Sequence, residues 1–165
     1  MIFLFLVIIV SALKRDRDKR IIGKDDIADF PDFNLKDVPV KIDSGAYTCT
    51  IHCSKITEED GKLKVIFLEH RQSGFTGDVF VFDKFQVKKV RSSNGQTQDR
   101  YKVVGTITLF NKTFKTEFTL SQRKKMRYPV LLGRKLLNNK FLIDTALSRL
   151  SYQEKQDSNL NPKNN

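Results

Sequence analysis

Asp43, Ser44 and Gly45 are the residues of this chain whose types and spacing best suit chemistry, because they directly follow an apolar run at 38–42. A strand that ends in an aspartate and a tight turn presents one carboxylate that can act as a general base towards water. Glycine in the turn leaves room for a second group to approach, because it has no Cβ. The tripeptide alone is common in surface turns. Residues 129–134 strengthen the functional interpretation of this tripeptide, because they form another apolar run that ends in a glycine and opens a short helical stretch.

Hydrolysis by aspartates needs two carboxylates around one water, because like charges at that distance share a proton and divide the acid and base roles. The sequence contains one complete motif of this kind. Asp144-Thr145-Ala146 is similar, but alanine replaces the glycine, and we expect an ordinary strand end there. A single motif in a domain of this size predicts that the second carboxylate comes from another copy. The site would then lie on the two-fold axis of a homodimer.

Short β-type runs dominate residues 21–152, which we interpret as one domain, and helix signals are scarce. Asn111 and Lys112 predict a hairpin turn between two of these runs, and 133–139 is the one predicted helix. The predicted strands lie at 38–42, 47–51, 63–69, 79–90, 102–110, 113–120 and 141–144. Many short strands with one small helix predict an all-β fold, either a closed barrel or a sandwich.

The composition is that of a globular domain, with 39% hydrophobic and 30% charged residues among 165. A net charge of +11 could attract nucleic acid, anionic lipid or an acidic protein, although lysine-rich genomes also produce basic proteins. We expect no nucleic-acid partner, because the sequence has neither an aromatic RNA-binding motif nor a recognition helix. Cys49 and Cys53 are too few for a disulfide framework, which favours reduced thiols and a cytoplasmic protein.

Residues 1–20 form an apolar N-terminal segment with a basic linker. The apolar part, 1–13, is shorter than the roughly 20 residues that span a bilayer, and it lacks the basic start and small-residue cleavage site of a signal peptide. Three interpretations stay open: a membrane anchor, a degenerate signal, or extra residues from an upstream start codon. An anchor followed by the basic cluster would keep the body of the protein cytoplasmic. At the other end, 153–165 predicts a polar disordered tail.

Several segments, in order, resemble the bacterial and archaeal retropepsin-like aspartic endopeptidases, a family historically labelled "ATP-dependent zinc protease". They are 22–24, 41–48, 51–52, 118–120, Met126, 128–134 and 141–144. The resemblance implies a closed pepsin-like or retropepsin-like barrel with one short helix, with Asp43 as the catalytic residue and Ser44 and Gly45 completing its turn. The supporting positions that it implies are Ala46, Leu131, Leu132, Gly133, Arg134 and His52. It assigns no role to the last two, for which structural roles are the simpler interpretation.

No cofactor is expected, despite the historical label. The sequence has neither a Gly-rich loop ending in Gly-Lys-Ser/Thr nor a His-Glu-x-x-His motif. Cys49, His52 and Cys53 could supply zinc ligands, but neighbours 52 and 53 of a strand point to opposite faces. We therefore expect small buried residues beside a structural histidine. A substrate-covering flap is expected within 68–85, where two glycines could form its tip.

These features predict an aspartic peptidase that works as a homodimer on a peptide or protein substrate. Relatives are discussed alongside enzymes that add glutamate to proteins, so the resemblance also suggests acidic or glutamylated substrates, which the positive charge would favour. The alternative is a non-catalytic β-barrel module that binds a peptide or protein. The two hypotheses differ in whether two Asp43 carboxyl groups come within a few ångströms across a dimer axis.

Overall fold

The computed structural model describes residues 19–91, 97–122 and 127–160. The predicted apolar segment 1–13 lies outside these ranges. The strands are β1 (Arg20–Ile22), β2 (Asp25–Phe30), β3 (Leu35–Ile42), β4 (Cys49–Glu59), β5 (Lys62–Phe67), β6 (Phe80–Phe82), β7 (Gln86–Arg91), β8 (Thr97–Leu109), β9 (Lys112–Ser121), β10 (Val130–Leu132) and β11 (Phe141–Ile143). The helices are α1 (Arg134–Leu137) and α2 (Leu150–Leu160), with a 3-10 turn at Pro31–Phe33.

Six strands close a barrel in the order β10, β3, β2, β8, β9, β4 and back to β10. The closing strand is β10, which pairs in parallel with β3 through Val130 and Val40 and antiparallel with β4 through Val130 and Ile51. Pairing on both edges satisfies the backbone groups of β10, and Val130 and Leu132 are buried while Leu131 is half-buried. The prediction of a closed all-β barrel is confirmed.

A cluster of buried phenylalanines lies in the core, with members on β2, β5 and β9 and on the turn before β3. Phe33 is fully buried, stacks on Phe67 with ring centroids 4.4 Å apart, and meets the edge of Phe118. Gly105 on β8 makes this possible, since a Cβ there would lie 2.3 Å from the Phe33 ring. Packing of this density leaves little freedom for the strands that carry the site.

The hairpin of β8 and β9 turns through Phe110 and Asn111, which have φ values of 51° and 56° and lie between the paired residues Leu109 and Lys112. Positive φ at both central residues is the requirement of a two-residue turn whose twist matches that of the strands. The predicted hairpin therefore exists, and its turn lies one residue earlier than Asn111-Lys112.

Helix α2 replaces most of the predicted disordered tail. Its first amides, those of Ser151 and Tyr152, donate to the buried Asp26 carboxylate at 2.9 and 3.0 Å. Further along the helix, Lys155 pairs with both Asp29 and Asp37. The sequence of α2 is polar without a clear apolar stripe, so its stability comes from a cap and ion pairs on distant strands that local patterns do not reveal. Residues 161–165 lie outside the described ranges. Within those ranges, no helix has the length and apolar character needed to cross a bilayer.

Asp26→Ala is expected to lower the free energy of unfolding by about 2–3 kcal/mol, because two helix amides lose their acceptor in a buried place. Asp26→Asn retains an acceptor and should cost less, and urea unfolding of both variants provides the comparison. Burial raises the pKa of Asp26 above its ordinary 3.8, against the opposing effect of its amide hydrogen bonds. The folded chain therefore holds this proton more tightly than the unfolded chain does. Its contribution to stability falls as pH rises from about 3.8 to the raised pKa. An Asp26→Ala variant as stable as the wild type would contradict this account of α2.

Candidate active site

The Asp43 turn starts where β3 ends and continues its hydrogen-bond ladder, because the Asp43 amide donates to the Leu132 carbonyl at 3.0 Å. Carboxylate oxygen Oδ1 accepts hydrogen bonds from the amides of Gly45 at 3.0 Å and Ala46 at 3.2 Å. No described residue donates to Oδ2. The half-buried carboxylate is thus fixed through one oxygen and has the other available for a ligand.

Gly45 and Ser44 contribute to this turn in different ways. A Cβ on Gly45 would lie 3.3 Å from Oδ1 of Asp43, which is tight enough to press on the carboxylate. Ser44 is exposed, and its hydroxyl has no hydrogen bond to any described residue. Among the described residues, therefore, the aspartate itself holds the turn, and the Ser44 hydroxyl takes no part in holding it.

Gly133 and Arg134 attach the start of α1 to the same turn. A Cβ on Gly133 would lie 2.6 Å from the Thr48 carbonyl oxygen, so only glycine allows this approach. The Arg134 amide donates to the Ala46 carbonyl at 2.9 Å. The Arg134 guanidinium donates through Nη1 to the carbonyls of Ser44 at 2.7 Å and Gly45 at 2.9 Å. Arg134 therefore binds the outer side of the turn that contains Asp43, a contact that sequence reasoning left unassigned.

A groove of about 570 Å³ opens beside this turn. Its lining residues are Lys41, Ile42, Asp43, Ser44, Arg127, Tyr128 and Leu131. The Tyr128 ring carries two cations near it, with Lys41 Nζ 5.7 Å and Arg127 Cζ 5.5 Å from the ring centroid. The structure therefore combines a carboxylate, an aromatic ring and two positive charges in one groove.

Asp25 accepts a hydrogen bond from Tyr128, which lines this groove, and the sequence analysis did not single out Asp25. The Tyr128 hydroxyl donates to Asp25 Oδ2 at 2.7 Å, and the Ser148 hydroxyl donates to Oδ1. Burial alone would raise the pKa of Asp25, but these two hydrogen bonds and the charges of Lys24 and Arg149 together hold the pKa below its ordinary value. No local pattern could have joined Asp25 to residues more than a hundred positions away in sequence.

His52, Cys49 and Cys53 are buried on β4. His52 Nε2 lies 3.1 Å from Glu69 Oε1, and the His52 amide donates to the Pro129 carbonyl at 2.8 Å. Burial raises the pKa of both thiols, which keeps them protonated. Among the described residues, no three metal-ligating side chains come together. The interpretation as small buried residues beside a structural histidine stays a prediction.

The segment 68–85, predicted to supply the flap, packs in part against the start of β3. Gly74 is pressed against Val38 and the Lys36 carbonyl, and the Ser73 hydroxyl donates to the Asp37 carbonyl at 2.9 Å. At about 3.3 Å per residue, Asp37 is about 20 Å from Asp43 along the strand. Gly74 thus serves packing, and the flap assignment for this segment stays a prediction.

Asp144 forms a turn of the same local type immediately after β11. The Ala146 amide donates to its Oδ1 at 2.9 Å, and the Asp144 carboxylate is exposed. The groove described above does not include Asp144. Its interpretation as an ordinary strand end stays a prediction, and the residue offers a matched control for Asp43.

A closed six-stranded barrel, with Asp-Ser-Gly at the end of one strand and Leu-Leu-Gly closing beside it, defines a retropepsin-like domain. A family model described as RimB-like, "Retropepsin-like aspartic endopeptidase RimB", matches residues 21–154. The chain belongs to this RimB-like family.

The curated relatives include longer proteins. A Shewanella pealeana protein named "Probable alpha-L-glutamate ligase" is 32% identical over 138 residues, covering 79% of this chain and 30% of the relative. A protein of the same name from Desulfotalea psychrophila is 30% identical over 142 residues, covering 82% and 30%. The chain thus spans about 30% of the length of these relatives.

Among solved structures, the chain is similar to a Legionella pneumophila protein of unknown function (DUF785). The TM-score is 0.58 at 26% identity, and the match covers 80% of this chain and 98% of the other. This likeness is consistent with the family assignment.

Proposed function

We propose that this chain is an aspartic peptidase whose catalytic centre forms when two copies bring their Asp43 carboxylates together. The observation that carries the proposal is the state of Asp43 beside an open groove, with Oδ1 fixed by two amides and Oδ2 without a hydrogen-bond donor among the described residues. Membership of the retropepsin-like family supports the reaction class.

In this proposal the two Asp43 carboxyl groups share one proton and hold one water between them. The charged group removes a proton from the water as its oxygen attacks the peptide carbonyl, and the protonated group donates to the carbonyl oxygen. The tetrahedral intermediate then collapses with cleavage of the C–N bond and proton transfer to the leaving amine. Fixing one oxygen of each carboxylate reduces the reorganisation that this exchange requires.

An apolar surface beside the turn supports the homodimer. Ile21 and Leu142, which pair across the neighbouring strands β1 and β11, are 49% and 43% exposed. These strands are close to the catalytic turn, because the amide of Ile42 donates to the Lys24 carbonyl at 3.1 Å. A second copy bound symmetrically on this surface would bury apolar area and bring the two turns towards each other.

Subunit mixing tests whether two copies form one site. Wild-type chain is mixed with an equal amount of Asp43→Asn chain, allowed to exchange subunits, and assayed for peptide cleavage at fixed total concentration. A shared site predicts about one quarter of the wild-type rate, because about one quarter of the dimers retain both carboxylates. A rate of about one half would show that each chain acts alone and would contradict the shared site. A monomer that binds peptide without cutting it would instead identify a binding module.

Acidic or glutamylated proteins are the proposed substrates. The curated relatives are named as glutamate ligases, and since this chain matches about 30% of their length, we propose that the shared portion hydrolyses peptide bonds while ligation belongs to the rest. The net charge of +11 and the two cations in the groove favour an acidic substrate.

We expect a peptide with several glutamates to be cleaved faster than its glutamine counterpart at low salt. The advantage should shrink as salt rises, because ions screen the attraction between exposed charges. Initial rates for both peptides at two salt concentrations measure it. Equal rates for the two peptides would dismiss the acidic substrate and leave the peptidase proposal standing.

A further inference from the structure

We propose that Asp25 is a positioning residue that holds the Tyr128 ring, and that this ring positions Lys41 and Arg127 to bind a carboxylate of the substrate. The inference rests on the proposed function, since it assigns a specificity subsite to the same groove. It goes further because it names the residues that distinguish a charged substrate side chain from its neutral amide.

The orientation of Tyr128 is set by a hydrogen bond to a charged acceptor. Its hydroxyl donates to Asp25 Oδ2 at 2.7 Å, and bonds to an ionised carboxylate are stronger than neutral ones. Asp25 is itself held by the Ser148 hydroxyl at Oδ1 and through its carbonyl, which accepts from the Arg149 amide at 2.9 Å. Rotating the ring away from the groove would therefore break its hydrogen bond to Asp25, an acceptor that other residues hold in place.

The ring in turn attracts two cations. Lys41 Nζ and Arg127 Cζ lie within the range in which a cation is attracted to an aromatic face. Neither side chain forms an ion pair with a described residue. Since both approach one ring, they are no more than about 11 Å apart, and both line the same groove. A carboxylate bound in that groove would have two cations within reach as pairing partners.

The position of the cations links this subsite to the bond that is cut. Lys41 lies two residues before Asp43 on β3 and pairs across the sheet with both Asp25 and Leu131. The same groove is lined by Asp43 and Arg127. The lowered pKa of Asp25 means that this support stays ionised well into the acidic range, where a carboxylate pair sharing a proton would act.

Peptide binding separates this subsite from catalysis. The probes are a fluorescent peptide containing several glutamates and the same peptide with glutamines, bound to the full chain in the inactive Asp43→Asn background. The double variant Lys41→Gln/Arg127→Gln should raise the Kd for the glutamate peptide about tenfold or more and leave the glutamine peptide within about twofold. Tyr128→Phe and Asp25→Asn should each raise the Kd for the glutamate peptide about threefold to tenfold, with the same selectivity.

Matched controls remove the same groups elsewhere. Lys112→Gln removes an exposed lysine at the β8–β9 hairpin, and Asp60→Asn removes an exposed aspartate in the β4–β5 turn. Both should leave the ratio of the two Kd values unchanged. Thermal unfolding of every variant shows that the fold is retained.

The ratio of glutamate to glutamine binding decides the inference, because general damage weakens both peptides equally. An unchanged ratio in Tyr128→Phe and Asp25→Asn would overturn the positioning role, and an unchanged ratio in the double variant would overturn the subsite itself. In the active background, the variants should raise KM for the glutamate peptide with little change in kcat. If the wild type cuts neither peptide but discriminates in binding, the proposed peptidase function fails while the subsite stands.

Discussion

Asp43→Asn is expected to reduce peptide cleavage by roughly a thousandfold or more, because it removes the general base and general acid from both copies at once. The asparagine oxygen can still accept the hydrogen bonds of the Gly45 and Ala46 amides that hold the turn. The fold should therefore persist, with a melting temperature close to that of the wild type. Initial rates with a cleavable fluorogenic peptide measure the loss.

Asp144→Asn is the matched control for this variant. It makes the same substitution in a turn of the same local geometry, outside the groove. We expect its cleavage rate to stay within about twofold of the wild type, as is usual for a surface change away from the site. Full activity of Asp43→Asn would refute the catalytic assignment, whereas loss in the Asp144 variant alone would move the site to the end of β11.

Gly133→Ala is expected to reduce both stability and activity, by about 2–3 kcal/mol and more than tenfold respectively. The added Cβ would lie 2.6 Å from the Thr48 carbonyl oxygen and 2.8 Å from that of Tyr47, and both are backbone atoms that cannot rotate away. Helix α1 would have to move, and with it the Arg134 guanidinium that binds the Ser44 and Gly45 carbonyls. Urea unfolding and cleavage rates measure the two effects.

Gly61→Ala provides the comparison for that variant. Gly61 has φ of +72° and open space around it, so alanine there suffers only from the left-handed backbone conformation. A cost of about 1 kcal/mol is expected, with normal cleavage by the folded fraction. If Gly133→Ala behaved no worse than Gly61→Ala, the tight approach between α1 and the turn would not matter for the site.

The parts of the site that depend on adjacent residues could be predicted from the sequence. The turn at Asp43 and the glycine before α1 are visible because an apolar run ends in residues with special backbone or steric needs. Barrel closure follows less directly, since the three residues of β10 carry no pattern that says they pair with two strands. It was the family resemblance that supplied this expectation.

Contacts between distant residues could not be predicted. Tyr128 meets Asp25, and the first turn of α2 meets Asp26, through side chains far apart in sequence. The packing of segment 68–85 is hidden for a related reason: its glycines indicate tight turns or close contacts, but the sequence does not say what they pack against. Gly74 is needed because Val38 and Lys36 lie against it.

The pairing of β10 has a consequence for how the molecule responds to partial unfolding. The carbonyl of Leu132, at the end of this strand, accepts the amide of Asp43. Detaching β10 would open the wall of the barrel and release the aspartate in the same step. We therefore expect the Asp43 backbone to come loose together with the barrel wall, and slow amide exchange at Asp43, despite its place at the surface, would report this shared cooperativity.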